Sequence, residues 1–411
     1  MLVSIIRCFS YNLIMKEILG NVIYGQSGGP TSIINTSAYY LFKECFNKLE
    51  NKIKIYAMKY GIEGLLEENI IEVKDNDNLN KLLVSPGAYF GSNRYKLKDD
   101  DLNVFNKILE TFKKYNIRYF FYNGGNDSMD TINKISTYFK KVNYECYCIG
   151  INKTIDNDLL HTDFSLGYAS ASKFIINTIL EIYADDKSYK VGRINIIETM
   201  GRNAGWLAAS SKLCSLKGDI VDFILIPEKY VDLEDFLIKI SEVYKRKKHC
   251  IICVSEGIKN LKGEFIFEND LMLDKFGHNQ LGGVSIKLCE LIKNRFNIKT
   301  RYYELSLLQR ANSMYLSKIE EQVAKDLSIY ALNAALNKEN NKMVVINRLP
   351  NTNRNNYKYD FSLVPIKEVS NKERYLDEKF ILKNKYDVDE SFIDYLLPLV
   401  DGEGGLLDIL K

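Results

Sequence analysis

The chain has no apolar run near the roughly 18 residues that a bilayer-crossing helix requires. It also has little net charge, +3 from 56 basic and 53 acidic residues, and only three histidines. The first absence predicts no membrane span. The second removes the electrostatic case for nucleic acid or a membrane surface as partner, so any anion must be recognised in a local pocket. His161, His249 and His278 have no nucleophilic serine or cysteine motif around them and read as structural or exposed. The eight cysteines lie mostly within apolar stretches such as Cys146-Tyr147-Cys148 and Cys250-Ile251-Ile252-Cys253, without a second pair or a histidine at zinc-ligand spacing. They read as buried free thiols in a reducing, cytoplasmic compartment. Also missing are the Gly-Lys-Ser/Thr ending of a P-loop and the spacing of the dinucleotide fingerprint, so no nucleotide is demanded.

What is there is an alternating pattern. At 411 residues, 46% apolar and 27% charged, the chain is too long for one compact layer and predicts two domains. Met1 to Met15 is interrupted by Arg7, Ser10 and Asn12 and lacks a small-residue cleavage site. Residues 1–17 are therefore expected to form an unstructured extension. Ile18 to Tyr24 reads as a strand that breaks at Gly25-Gln26-Ser27-Gly28-Gly29-Pro30, followed by a helix carrying Ile33, Ile34, Ala38 and Leu41. Ile53 to Met58 is a second strand, Leu102 to Tyr115 a helix, and Tyr119 to Tyr122 a third strand. That strand runs into Gly124-Gly125-Asn126-Asp127-Ser128, a helix from Asp127 to Phe139 and a strand from Tyr144 to Ile151. The pattern restarts with helices at Tyr168 to Tyr183, from Ala204, at Phe236 to Tyr244 and at Gly283 to Arg295. Its strands are Arg193 to Ile197, Phe223 to Ile226 and Cys250 to Val254. The expectation is two Rossmann-like α/β domains with mostly parallel sheets, 18–160 with part of the region after 310, and 161–310. Residues 311–411 supply helices and a strand that complete both.

The motifs cluster near the expected junction at about residues 150 to 165. Each glycine turn follows a strand and opens a helix, so it can offer backbone N–H groups to phosphate, although many such turns only reverse the chain. Asp127 would repel a phosphate chain unless a divalent cation bridges the two, and magnesium suits one or two carboxylates with phosphate oxygens. Asp127 could equally be the N-cap of the helix at Met129. In Lys153-Thr154-Ile155-Asp156-Asn157-Asp158 an extended backbone would point Asp156 and Asp158 to one side, where one could act as general base. A plain polar loop is the alternative, but Lys153 adds an ammonium suited to charge on a transferring oxygen. Met200-Gly201-Arg202-Asn203-Ala204-Gly205-Trp206 sets a guanidinium at a strand end, where it can grip phosphate. Arg193, Arg301 and Arg310 lie near other strand ends, each as readily a surface residue. Together these features read as a phosphoryl-transfer site.

The ordered motifs GQSGGP, GAYFGSNR, GGNDS, KTIDND, MGRNAGW, SEG and LQR, with the closing Leu397 to Gly402, resemble the phosphofructokinases from about residue 18 to nearly the C-terminus. Asp127 and Lys153 stand where ATP-dependent members typically carry glycines, and this pair resembles that of pyrophosphate-dependent members. The resemblance implies reversible, glycolytic transfer of phosphoryl from pyrophosphate to the 1-hydroxyl of fructose 6-phosphate, with Mg2+. It implies Asp156 as the base, with Lys153 and Arg202 also catalytic. Gly29, Arg94, Asn126, Asp127, Ser128 and Lys153 would hold pyrophosphate, with Asp127 and Asn126 toward the metal. Thr154, Asp156, Asp158, Met200, Gly201, Arg202, Glu256 and Arg310 would bind the sugar phosphate. Arg193 and Arg301 would join them from a neighbouring subunit, which implies a homodimer or homotetramer.

Three departures stand out. Asn126 replaces a frequent aspartate, Leu307 replaces a histidine or tyrosine, and Ala311-Asn312 replaces two glycines. The rival expectations are an ATP-dependent phosphofructokinase and a catalytically silent subunit that binds sugar phosphate.

Overall fold

The apolar runs of the first half are continuous rather than alternating, as strands buried on both faces require. The structure, a computed structural model, describes residues 20–49, 52–267, 269–273, 279–280 and 282–409; the expected extension over 1–17 lies outside them. In chain order the elements are β1 (Asn21–Gln26), α1 (Ile33–Lys48), β2 (Ile55–Met58), α2 (Gly61–Leu66), β3 (Ile70–Glu72), α3 (Leu102–Lys114), β4 (Ile117–Gly124), α4 (Asn126–Lys141) and β5 (Tyr147–Asn152). There follow α5 (Tyr168–Lys187), β6 (Ile194–Thr199), α6 (Trp206–Ser210), β7 (Phe223–Leu225), α7 (Leu233–Lys247), β8 (Cys250–Ser255), β9 (Asn269–Leu273), β10 (Asn279–Gln280) and α8 (Val284–Phe296). The last are β11 (Thr300–Glu304), α9 (Leu308–Ala311), α10 (Lys318–Leu336), β12 (Lys342–Arg348), β13 (Tyr359–Pro365) and α11 (Ser391–Leu396).

Among the described residues, one sheet has seven strands in the order β13-β12-β5-β4-β1-β2-β3 and another has four in the order β11-β6-β8-β7. The four-stranded sheet is parallel throughout. In the larger sheet only the edge strands β3 and β13 pair antiparallel. The chain winds from β1 outward to β2, then returns to β4 on the other side of β1, with Gln26 paired to Asn123. Both glycine turns therefore leave the carboxyl ends of neighbouring strands at the switch point of the sheet, where α/β folds open a crevice. The carboxyl ends of β6, β8 and β11 face that crevice from the second sheet, delivering Met200, Glu256 and Ser306 to its wall or rim.

A single apolar cluster joins the sheets, running from Val22 and Tyr24 through Ala169, Ile176 and Ile179 of α5 to Ile197 and Ile251. Trp206 is fully buried against Tyr395, with ring centroids 5.3 Å apart. The Arg374 guanidinium lies over the Trp206 ring, 4.3 Å from its centre. All seven cysteines among the described residues are free and buried. No described helix is long and apolar enough to cross a membrane.

The N-terminus of α5 is held by Glu320 of α10, which is fully buried. Its carboxylate accepts from the N–H groups of Gly167 at 2.7 Å, Ala169 at 3.1 Å and Ser170 at 3.0 Å, and from the Ser170 hydroxyl. Removing it leaves several buried donors unpaired. Glu320→Ala is therefore expected to cost about 3 kcal/mol of stability, measured by chemical denaturation. Glu320→Gln, which keeps one acceptor oxygen, is expected to lose less.

Candidate active site

The first glycine turn is shaped from below. Lys153, 2% exposed, leaves the end of β5 and donates from Nζ to the carbonyls of Ser27 and Gly29, at 2.8 Å each. Gly28 sits at φ +79°, a conformation that suits glycine. Two of its amides are already engaged: Ser27 N–H donates to Asn123 O at 2.9 Å and Gly28 N–H to Asn93 O at 3.4 Å. The anion cradle expected from backbone N–H groups is thus narrower than the motif alone suggests, and the lysine is part of the turn's support as well as a charge.

At the second turn, α4 begins at Asn126 with Gly125 as N-cap and no side-chain cap bond. Asp127 therefore lies in the first turn of the helix and lines the cleft, rather than serving as the N-cap. The N-terminal dipole at this end favours negative charge nearby. Asn126 turns its amide Nδ2 to the carbonyl of Lys372, a bond that an aspartate could not donate.

Between the turns lies the loop after β5. The expected extended backbone is absent: Asn157 adopts φ +55°, which asparagine tolerates better than most residues. Its buried side chain fixes the bend, accepting from Ser165 N–H at 2.9 Å and donating to Tyr395 Oη at 3.0 Å. Asp156 and Asp158 still both reach the cleft, through a bend instead of through strand alternation. Thr154 Oγ1 accepts from Asp156 N–H at 3.2 Å.

The cleft has a volume of about 740 Å³ and spans both sheets. It brings together Arg94, Asp127, Lys153, Asp156, Arg202, Glu256 and Arg310, with Gly29, Asn126, Ser128, Thr154, Asp158 and Met200 also on its wall. Gly201 shapes the Arg202 loop from behind at φ +118°, its carbonyl accepting from the Ser255 hydroxyl. Arg310 leans on the first glycine turn: a Cβ placed on Gly29 would stand 2.9 Å from its Nη1. Leu307 is 57% exposed at the rim.

Arg193 and Arg301 do not line this cleft. Arg193 is buried, with Nε on Asp186 at 3.0 Å and Nη2 on Asp185 at 3.2 Å, so its charge is matched within its own surroundings. Arg301 is exposed on β11.

Charges in the cleft are strongly coupled. Burial, then the neighbouring Arg310, brings Lys153 down to about 7, opposed by Asp156. Burial raises Asp156 above the ordinary carboxylate range, against the pull of Arg310, Arg94 and Lys153. Asp158 is pushed up to about 7 by burial and by Asp156, and Glu256 to about 7 by the same two causes. Sequence reading missed four other carboxylates on the wall or rim: Glu198, Glu304 and Glu373 line it, and Glu228 braces it from behind. Each stands outside the motifs, so no local signal marks it. Seven carboxyl groups and four basic side chains therefore line the cleft, and an incoming anion requires those carboxyls to be protonated or offset by a cation.

Oδ1 of Asn126, Asp156 and Asp158 is buried without a hydrogen-bond partner, and oxygen atoms of this kind suit a hard divalent cation, although no group of three or more His, Cys, Asp or Glu side chains is gathered as a metal site among the described residues.

Residues 21–335 match the family described as Phosphofructokinase. A pyrophosphate–fructose 6-phosphate 1-phosphotransferase of Xanthomonas campestris pv. campestris is 36% identical over 397 residues, 94% of this chain and 93% of the relative. One from Halomonas elongata is 35% identical over 390 residues, 93% and 92% of the two chains. The crystal structure of a pyrophosphate-dependent phosphofructokinase from Nitrosospira multiformis superposes with a TM-score of 0.83 at 32% identity, covering 94% of this chain and 93% of the other.

Proposed function

The chain belongs to the phosphofructokinase family, and from that premise we propose that it transfers phosphoryl reversibly between pyrophosphate and the 1-hydroxyl of fructose 6-phosphate. The observation that carries the choice of donor is Lys153 clasped under the first glycine turn while Asp127 lines the same cleft from the second. A carboxylate there would crowd and repel a third phosphate, and the ammonium supplies attraction that a nucleoside would otherwise provide.

Pyrophosphate lies along Gly29, Arg94, Asn126, Asp127, Ser128 and Lys153. The sugar lies over Thr154, Asp158, Met200, Glu256 and Arg310, with Gly201 shaping the Arg202 loop behind them. Asp156 accepts the proton of the 1-hydroxyl as its oxygen bonds to the near phosphorus; the bridging P–O bond breaks and orthophosphate leaves. Arg202 and Lys153 offset charge on the transferring group. Asp127 and Asn126 would hold magnesium, which would supply Lewis-acid neutralisation of phosphate charge. Arg193 and Arg301 reach the sugar phosphate of a neighbouring subunit in a homodimer or homotetramer, though Arg193 must share its charge with Asp185 and Asp186. We divide the chain into a donor domain of 18–160 with part of the region after 310, and a sugar domain of 161–310, both completed by 311–411. The reducing cytoplasm is its compartment.

Phosphorus NMR of protein with magnesium, pyrophosphate and fructose 6-phosphate tests this reading. Equal gains of orthophosphate and a C1 phosphate ester are expected, and fructose 1,6-bisphosphate with orthophosphate should regenerate pyrophosphate. No transfer in either direction would refute it.

A pH effect follows from Lys153. Its pKa near 7 in the free cleft means the side chain is mostly neutral at pH 8, and bound pyrophosphate favours the ammonium. Donor binding at pH 8 should take up a proton, and affinity should fall as pH rises above about 7. Calorimetry in buffers of different ionisation enthalpy measures this, with Lys153→Met expected to reduce the uptake and Asp158 and Glu256 to account for what remains.

A further inference from the structure

The loop bearing Arg202 belongs to one sheet and the Asp156–Asp158 loop to the other, so their separation must be set by something that touches both. The segment 370–376 does so. Arg374 donates from its backbone N–H to Asp158 O at 2.7 Å and from Nη1 to the carbonyls of Thr162 at 2.8 Å and Asp163 at 2.7 Å. Two residues on, Leu376 N–H donates to Glu228 Oε1 at 2.8 Å. The same oxygen accepts from Gly205 N–H at 2.9 Å, at the end of the Arg202 loop, while Glu228 Oε2 lies 3.1 Å from that donor. A Cβ on Gly205 would stand 2.7 Å from Glu228 Oε2, so glycine is what lets the carboxylate come this close. On the cleft side the strap is tied again, with Asn203 Nδ2 donating to both carboxylate oxygens of Glu373 at 3.0 and 3.1 Å.

We propose that residues 370–376 form a strap that holds Arg202 in register with Asp156, and that Glu228 is the positioning residue that clamps strap and loop together. Glu228 is remote from the reacting atoms and acts through Gly205 and Leu376. The exposed Glu373–Asn203 contact is the weaker tie, because solvent competes for it, whereas Glu228 is part-buried and accepts from two backbone donors that solvent reaches less readily. A displacement of the order of 1 Å at Arg202 would cost rate without removing any group that binds substrate.

This inference rests on the proposed phosphoryl transfer for its kinetic arm, but its exchange arm does not. Glu228→Ala should lower kcat roughly tenfold or more, with both KM values within about threefold of the parent. Glu228→Gln, which keeps an oxygen for both donors, should recover most of the loss. By hydrogen exchange, amides 200–205 should exchange faster in Glu228→Ala and return toward the parent rate in Glu228→Gln. Arg374→Ala, which removes the guanidinium bonds to the Thr162 and Asp163 carbonyls and keeps the backbone bond to Asp158 O, should add little to Glu228→Ala. Unchanged exchange over 200–205, or a glutamine variant as impaired as alanine, would overturn the proposal. If the parent protein transferred no phosphoryl group, the proposed reaction would fall, while the exchange result would still decide the clamp.

Discussion

Asp156→Asn is expected to lower kcat by about 10³-fold, within the range that a positioned general base contributes, while both KM values change by less than about threefold. The substitution keeps size and shape, and it removes the ability to take the hydroxyl proton together with one negative charge beside Lys153, Asp158 and Glu256. Initial rates at saturating pyrophosphate and fructose 6-phosphate measure it. The acid limb of the pH profile offers an independent check. Burial raises the Asp156 carboxyl above its ordinary value, so activity should fall as pH drops through that raised pKa and be restored as pH rises. In the asparagine variant the remaining activity should lose this limb. A loss of less than tenfold would mean that another group accepts the proton.

Lys153→Met is expected to lower kcat/KM for pyrophosphate by about 10² to 10³-fold, the scale of deleting one charged donor at a developing oxyanion. Two effects combine. The cation facing the donor is lost, and the Ser27 and Gly29 carbonyls lose the ammonium that holds the first glycine turn. Methionine keeps the stem and its packing, so the fold should survive the change. The paired Asp127→Gly and Lys153→Gly substitution carries this further. With both side chains gone the pocket widens and its repulsion falls, so use of pyrophosphate should drop while use of ATP rises from its parental level. Steady-state rates with each donor read out both shifts, and an unchanged ratio would show that these positions do not choose the donor.

Much of the architecture could be read from the chain because its decisive signals are local. Continuous apolar runs ending in glycine turns marked β1 and β4, and helical spacing marked α1, α3, α4 and α5, with boundaries within a few residues. Fold class and family followed from the same ordered motifs. Less legible was whatever depends on distant pairing. Strand β13 adds antiparallel to the edge of the larger sheet through β12, and nothing in its own sequence states that partner. The backbone bend at Asn157 was hidden because Asp-Asn-Asp looks like strand alternation until Ser165 and Tyr395 are seen to hold the asparagine. Asp127 looked like a cap because aspartate suits that position, but helix α4 begins one residue earlier. Glu228 and Glu373 carry no motif at all, and their place at the cleft comes from chain segments that meet only in the folded molecule.

The central claim is that a carboxylate and a clasped ammonium make this cleft fit two linked phosphates in preference to a nucleotide. Initial rates with saturating fructose 6-phosphate and magnesium, comparing pyrophosphate with ATP as donor, test it most directly. Pyrophosphate should support turnover at least about 10²-fold faster than ATP, as a carboxylate set against a third phosphate in the cleft requires. Turnover with ATP and none with pyrophosphate would contradict it.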